Sequence, residues 1–194
     1  MIGRFIGVGF HHIVAIDALD HLLFLLVLAA CYRPRDWRHG LTVVSAFTVG
    51  HSLTLALAAL NIVRFPVPLV EFLIPCTIIV AGMENLFHRG QRPHGWLRPA
   101  LAGGFGLVHG AGFATTLRDL FDGSVAVPLV GFNIGIELGQ MLVLTLMICA
   151  LTMADRVLRT AAGNTVTALT WRIRLTSIAA AGVAFVMAAQ RAPW

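Results

Sequence analysis

Six apolar stretches, each long enough to cross a bilayer as a helix, divide this chain, and five clusters of polar or ionisable residues lie inside them. The stretches run from Gly7 to Cys31, Leu41 to Val63, Val67 to Leu86, Pro99 to Leu117, Val125 to Met153 and Ile173 to Gln190. About 20 mainly apolar residues cross the hydrocarbon core as a helix. Lipid offers no hydrogen-bond partners, so a spanning chain must satisfy its backbone internally, as helices do. The expected fold is all-α: a polytopic membrane bundle of about six helices, forming one integral domain over residues 1–194.

Composition excludes the soluble alternative. With 58% hydrophobic residues, 12% charged and a mean hydropathy of +0.83, the chain has too little polar surface for a water-soluble globule of 194 residues. The net charge of +5 rests on 14 basic residues, all arginine, most of them between the apolar stretches. That placement reads as a topology signal, so the expected partners are anionic membrane lipids and not nucleic acid.

Orientation follows from the same arginines. The segment from Tyr32 to Gly40 carries Arg33, Arg35 and Arg38; that from His88 to Arg98 carries Arg89, Arg92 and Arg98; that from Asp155 to Arg174 carries Arg156, Arg159, Arg172 and Arg174. The alternate segments are poorer, so the three rich ones are expected in the cytoplasm and both termini on the outer side. A bacterial-type inner membrane is the expected location. Two Asp and three His interrupt the first stretch, which is therefore expected to stay in the mature protein and not to be cleaved as a leader.

Charged side chains cost at least a few kcal/mol each at bilayer depth, so those that persist usually face a bundle interior and mark a pathway. The clusters are Asp17, Asp20 and His21; Thr48, His51 and Ser52; Glu84 and Asn85; His109; and Asn133, Glu137 and Gln140. His51, His109 and Glu137 each fall roughly 15 to 18 Å from a span end, near mid-membrane. Glu84 lies nearer the arginine-rich side. Asp17, Asp20 and His21 share one helical face, as do Asn133, Glu137 and Gln140. Gly131, Gly135 and Gly139 form a separate small-residue stripe, expected to meet the glycines of the fourth stretch.

Imidazole and carboxylate together suit borderline divalent cations such as nickel, zinc, cobalt or iron. The metal-ligand candidates are Asp17, Asp20, His21, His51, His109 and Glu137, with Thr48, Ser52, Asn133, Gln140 and Glu84 expected to support them. For each histidine alone, the competing reading is a packed polar residue bonded across helices. The three cysteines, Cys31, Cys76 and Cys149, have no paired spacing and are expected to be small packing residues.

Five motifs, taken together, carry a family resemblance. His11-His12-Ile13 with Asp20-His21-Leu22-Leu23-Phe24, Ser45 to Ser52, Val70-Glu71 with Glu84-Asn85, Phe105 to Phe113, and Phe132 to Gln140 resemble the HupE/UreJ family. Its members are small membrane proteins associated with hydrogenase and urease maturation and described as nickel permeases. The resemblance implies nickel as cargo, with a metallochaperone or maturation protein as partner. One spacing departs from the family pattern: His12 is eight residues before Asp20, with Asp17 between, which on an unbroken helix puts His12 opposite His21. Either Asp17 has taken its place or the helix is broken there. His11 and His12 then mark where a cation first enters, or lie at the interface.

Two function classes remain. A transporter would bind the cation at mid-depth and pass it on, which requires strong yet reversible binding. An intramembrane metalloenzyme would keep the ion and act on a lipid or membrane substrate, although the chain lacks an H-E-x-x-H pair and a G-x-S-x-G frame. Transport is the favoured reading.

Overall fold

The computed structural model describes residues 2–16, 18–87, 95–118, 126–162 and 165–194, with backbone alone at 114–118, 158–162 and 165–167. These residues form seven α-helices and no strand: α1 (Ile2–Val14), α2 (Leu19–Ala29), α3 (Trp37–Ala59), α4 (Val67–Phe87), α5 (Leu97–Arg118), α6 (Ala126–Ala162) and α7 (Thr165–Gln190). A 3-10 turn, Pro34–Asp36, precedes α3. Four helices, α3, α4, α6 and α7, are long and apolar enough to cross a membrane among the described residues, or five spans if the bent pair α1 and α2 counts as one. Large apolar side chains such as Val49, Leu53, Leu146, Ile178 and Phe185 are more than half exposed, as a lipid-facing surface requires. Helix α5, also expected as a span, has 22 residues and is about 33 Å long, enough to cross a core of about 30 Å.

The first apolar stretch departs from expectation. It is not one helix but two, α1 and α2, whose axes turn by 69°. With 13 and 11 residues they are about 20 Å and 16 Å long, so neither crosses a core of about 30 Å alone. Helix α1 buries one stripe, Phe5, Gly9 and Ile13, against α6. Helix α2 is apolar on all sides, with Leu23, Phe24, Leu25, Val27 and Leu28 buried, which suits a helix at the centre of a bundle.

Glycine sets how closely the helices pack, but the pairs are not those expected. The glycines of α6 meet α1: a methyl group on Gly135 would strike the Ile6 carbonyl, and one on Gly9 the Phe132 carbonyl. The glycines of α5 meet α3: Gly106 lies against the Phe47 carbonyl, Gly110 against the His51 carbonyl, and Gly50 against the Gly103 carbonyl. Close backbone approach needs small residues on the facing helices, and Gly9 and Gly50 supply the partners that a single glycine stripe does not reveal. Helix α7 is a full member of the bundle, with Ser177 packed beside Gly82 of α4.

Two arginines assigned to loops are inside the protein. Arg172 is 3% exposed, pairs with Asp155 at 2.9 Å, and donates to the carbonyls of Ala30 at 3.0 Å and Tyr32 at 2.9 Å. It thus answers carbonyls left open where α2 ends, where a cation is also favoured by the helix dipole. Arg98 is 7% exposed and pairs with Glu84 at 2.6 Å.

The packing makes a direct prediction. Gly106→Ala should lower stability by about 1 to 3 kcal/mol or more, as overpacking a rigid contact does. Gly104→Ala, with open space around it, should be near neutral. Thermal unfolding in detergent, read by helical circular dichroism, separates the two.

Candidate functional site

The break between α1 and α2 brings four imidazoles together. The ring centroid of His21 lies 4.8 Å from that of His12, 5.2 Å from His109 and 6.2 Å from His51, and His12 lies 6.2 Å from His51. Two imidazoles bound to one tetrahedral ion have centroids about 5 Å apart, given metal–nitrogen bonds of about 2 Å. His12 therefore does not stand on the far side from His21. The opposite-face expectation assumed an unbroken helix, and the 69° turn removes that premise.

Packing between α3 and α5 fixes two of these rings. Gly106 and Gly110 sit on either side of His109 in sequence and press against the Phe47 and His51 carbonyls, so His51 and His109 lie at adjoining heights. Both are essentially fully buried, at 0% and 1% exposed. Aromatic rings pack around them: Phe47 is 5.1 Å from His109 and 6.0 Å from His51, and Phe132 is 6.4 Å from His51.

Hydrogen bonding assigns the tautomer at two rings. The Thr77 hydroxyl has one proton, and it donates to the Ile74 carbonyl at 2.7 Å. It must then accept from His109 Nε2, 3.0 Å away, so Nε2 carries the proton and Nδ1 a bare lone pair. At His21, Nδ1 lies 3.0 Å from Asp20 Oδ1, which also accepts from the His21 backbone N–H at 2.8 Å. The carboxylate holds the proton of His21 on Nδ1 and leaves Nε2 as the electron-pair donor, the arrangement by which a carboxylate orients a ligating imidazole. The nearer oxygen of Asp20 is thus already engaged by His21.

Within these four rings, five buried nitrogens have no hydrogen-bond partner among the described residues: His12 Nε2, His21 Nε2, both nitrogens of His51, and His109 Nδ1. A buried polar atom without a partner costs about 1 to 3 kcal/mol, so five in one place is a large concentration of unmet bonding capacity. Nevertheless, as the rings stand, no three His, Cys, Asp or Glu side chains among the described residues are aimed to hold one ion. The His12–His21 and His21–His109 separations are near that of a shared tetrahedral ion, whereas His51 stands wider, at 6.2 Å from His12 and His21.

A cavity of about 430 Å³ opens beside the cluster. His12, Asp20, His21 and His109 line it, as do Glu71 and Arg191. His11, exposed, also lies on its wall. Glu71 and Arg191 come from the start of α4 and just beyond the end of α7, so the cavity lies toward the bundle end opposite Arg98 and Arg172.

The remaining expected residues fall elsewhere. Glu137 does not line the cavity; one oxygen accepts from Ser45, and Oε2 is buried without a partner among the described residues. Thr48 donates to Gln140 at 2.9 Å, Ser52 to the Thr48 carbonyl at 2.6 Å, and Asn133 Oδ1 is buried without a described partner. These residues make a polar seam between α3 and α6. Glu84 and Asn85 join Arg98 near the far end, and Cys31, expected only to fill space, contacts both Asn85 and Arg98. Asp17 lies outside the described residues. Sequence reading missed Thr77, whose signal was a lone hydroxyl in an apolar stretch two residues after Pro75.

The fold and site define a helical membrane protein with a buried imidazole cluster open to one end. The chain belongs to the HupE/UreJ family: the family description "HupE / UreJ protein" matches residues 1–191 of 194. That family is associated in general with nickel and cobalt handling. No curated protein and no solved structure matches the chain.

The tautomer assignment is testable. Thr77→Val should leave the His109 Nε2–H without an acceptor and cost about 1 to 3 kcal/mol, while Thr77→Ser should restore most of it. Thermal unfolding of the protein in nanodiscs reads the difference.

Proposed function

We propose that the protein is a permease for a divalent transition-metal cation, nickel before cobalt, zinc or iron, and that His12, His21, His51 and His109 are its ligands. The observation that carries this reading is the group of five unpartnered imidazole nitrogens beside a cavity. Nitrogen donors suit these ions and not magnesium or calcium. Family membership supports the choice of nickel and cobalt.

The cation enters the cavity past Glu71 and His11 and loses water as the imidazoles replace it. His21 is the first ligand because Asp20 already holds its Nε2 lone pair free, and Thr77 does the same for His109 Nδ1. Ring rotation then closes the set around the ion. A site that must be closed by rotation also reopens, and conduction needs that reversibility. Ser45 with Glu137 and Thr48 with Gln140 tie α3 to α6 beside the cluster, Ser52 and Asn133 add polar groups along the same seam, and Asp17, three residues before Asp20 in sequence, is a further ligand of the ion.

We read α5 as the sixth span, its polar content tolerated because α3 covers its glycine face. The termini then lie on the outer side of a bacterial-type inner membrane and the cavity faces outward. Discharge occurs on the arginine-rich side, where a metallochaperone or maturation protein would receive the ion.

Uptake of nickel into sealed proteoliposomes is the test. Wild-type protein should move nickel down its gradient, and His21→Ala should abolish the flux. Asp20→Asn should weaken nickel binding about 10- to 100-fold, the usual effect of losing a group that orients a ligand. Wild-type flux in both variants would refute the assignment.

A further inference from the structure

Beyond the imidazole cluster lies a second group of donors that the pathway above does not use. Cys31, Glu84 and Asn85 converge on Arg98 where the ends of α2 and α4 meet the start of α5. One guanidinium nitrogen, Arg98 Nη2, touches all three: Glu84 Oε2 at 2.6 Å, Asn85 Oδ1 at 2.5 Å and Cys31 Sγ at 3.5 Å. A second contact, Nε to Glu84 Oε1 at 3.2 Å, completes a fork on the carboxylate. A terminal guanidinium nitrogen has two protons, fewer than the three donor atoms around it. The Cys31 thiol also donates to Asn85 Oδ1 at 3.0 Å, so a carboxylate, an amide oxygen and a protonated sulfur gather round one cation.

The shell is built and buried. Asn85 is 2% exposed, Cys31 7% and Arg98 7%. The Asn85 amide is fixed by donating to the Val27 carbonyl at 2.8 Å and to Ser177 Oγ at 3.0 Å, which turns its oxygen inward. A void of about 30 Å³ adjoins the group, lined by Glu84, Asn85, Arg98, Phe24 and Phe105. That is room for about one water or one ion.

Only one aromatic layer separates this void from the imidazoles. Phe24 stacks on Phe47 at 4.9 Å and meets Phe105 at 6.2 Å, while Phe24 and Phe47 lie 6.0 Å and 5.1 Å from His109. Phe24 therefore faces the cluster and lines the void.

We infer that Cys31, Glu84 and Asn85 form an inner release site for a divalent transition-metal cation, and that Arg98 is a tethered cation that holds this site closed until an arriving ion displaces it. The inference rests on the permease reading above and adds the step after the imidazoles. A sulfur, a carboxylate and an amide oxygen favour borderline ions over magnesium and calcium, so the site filters a second time. Binding of the ion releases the Cys31 thiol proton to water on the arginine-rich side; once the ion leaves, the thiol takes a proton back, the guanidinium returns to the carboxylate, and backflow meets a positive charge.

Cobalt(II) is the probe, with the full chain in nanodiscs. At one equivalent of cobalt, wild type should show no thiolate-to-cobalt charge-transfer band, because the imidazoles fill first and Arg98 still closes the inner site. Arg98→Gln should bind one further equivalent and show the band, and adding Cys31→Ser should remove both. A second measurement leaves the buried pair intact: with Cys76→Ala and Cys149→Ala, so that Cys31 is the sole thiol, cobalt flux in proteoliposomes should protect Cys31 from alkylation. Wild-type cobalt binding with no added equivalent in Arg98→Gln would overturn the inner site and leave the permease reading standing, as would undiminished alkylation during flux. Failure of wild type to bind any cobalt would overturn the permease reading itself.

Discussion

Hydrocarbon provides no hydrogen-bond partners, so each polar atom carried into the bundle must be answered by another part of the chain. Much of the structure consists of such answers. Arg172 bonds the carbonyls past the end of α2 while Asp155 neutralises it, and Asn85 bridges α2 and α7 through Val27 and Ser177. Against that background the imidazole nitrogens of His12, His21, His51 and His109 stand out as a gathered set left open. A bundle that satisfies a buried guanidinium so fully has the means to satisfy four histidines, yet five of their buried nitrogens have no partner among the described residues.

The interrupted first span makes this possible. A continuous helix would carry His12 and His21 on opposite faces; the turn between α1 and α2 lets α1 lie along α6 while α2 takes the centre. The close backbone contacts of Gly9 with Phe132 and of Gly135 with Ile6 hold α1 in that place. The same kind of contact, made by Gly106 and Gly110 of α5 against α3, sets His109 beside His51. Helix packing and ligand placement are thus one arrangement, and the cavity is the space left where α1 ends.

Much of this was legible in the residues themselves. The stretch Val67 to Leu86 anticipated α4, Val67–Phe87, and Pro99 to Leu117 anticipated α5, Leu97–Arg118. Other bounds moved because helix propensity outlasts hydropathy: α6 continues past Met153 and α7 starts before Ile173, over alanine, leucine and arginine that favour helix without needing lipid. The break near Ala15 and Ala18 contains neither proline nor glycine; the altered spacing of His12 and Asp20 pointed to it, as one of two readings. Partner choice among helices was illegible for a similar reason, since a glycine stripe states that something comes close and not which helix. Arg98 and Arg172 were misread as loop charges because their partners, Glu84 and Asp155, lie 14 and 17 residues away and meet them only once the helices fold together.

Nickel-edge X-ray absorption of the nickel-loaded protein in nanodiscs bears most directly on the central claim that the imidazole cluster is the cation site. The account predicts the multiple-scattering signature of two or more imidazoles around the ion, diminished in His21→Ala. A spectrum of oxygen ligands alone, the same in wild type and His21→Ala, would contradict it.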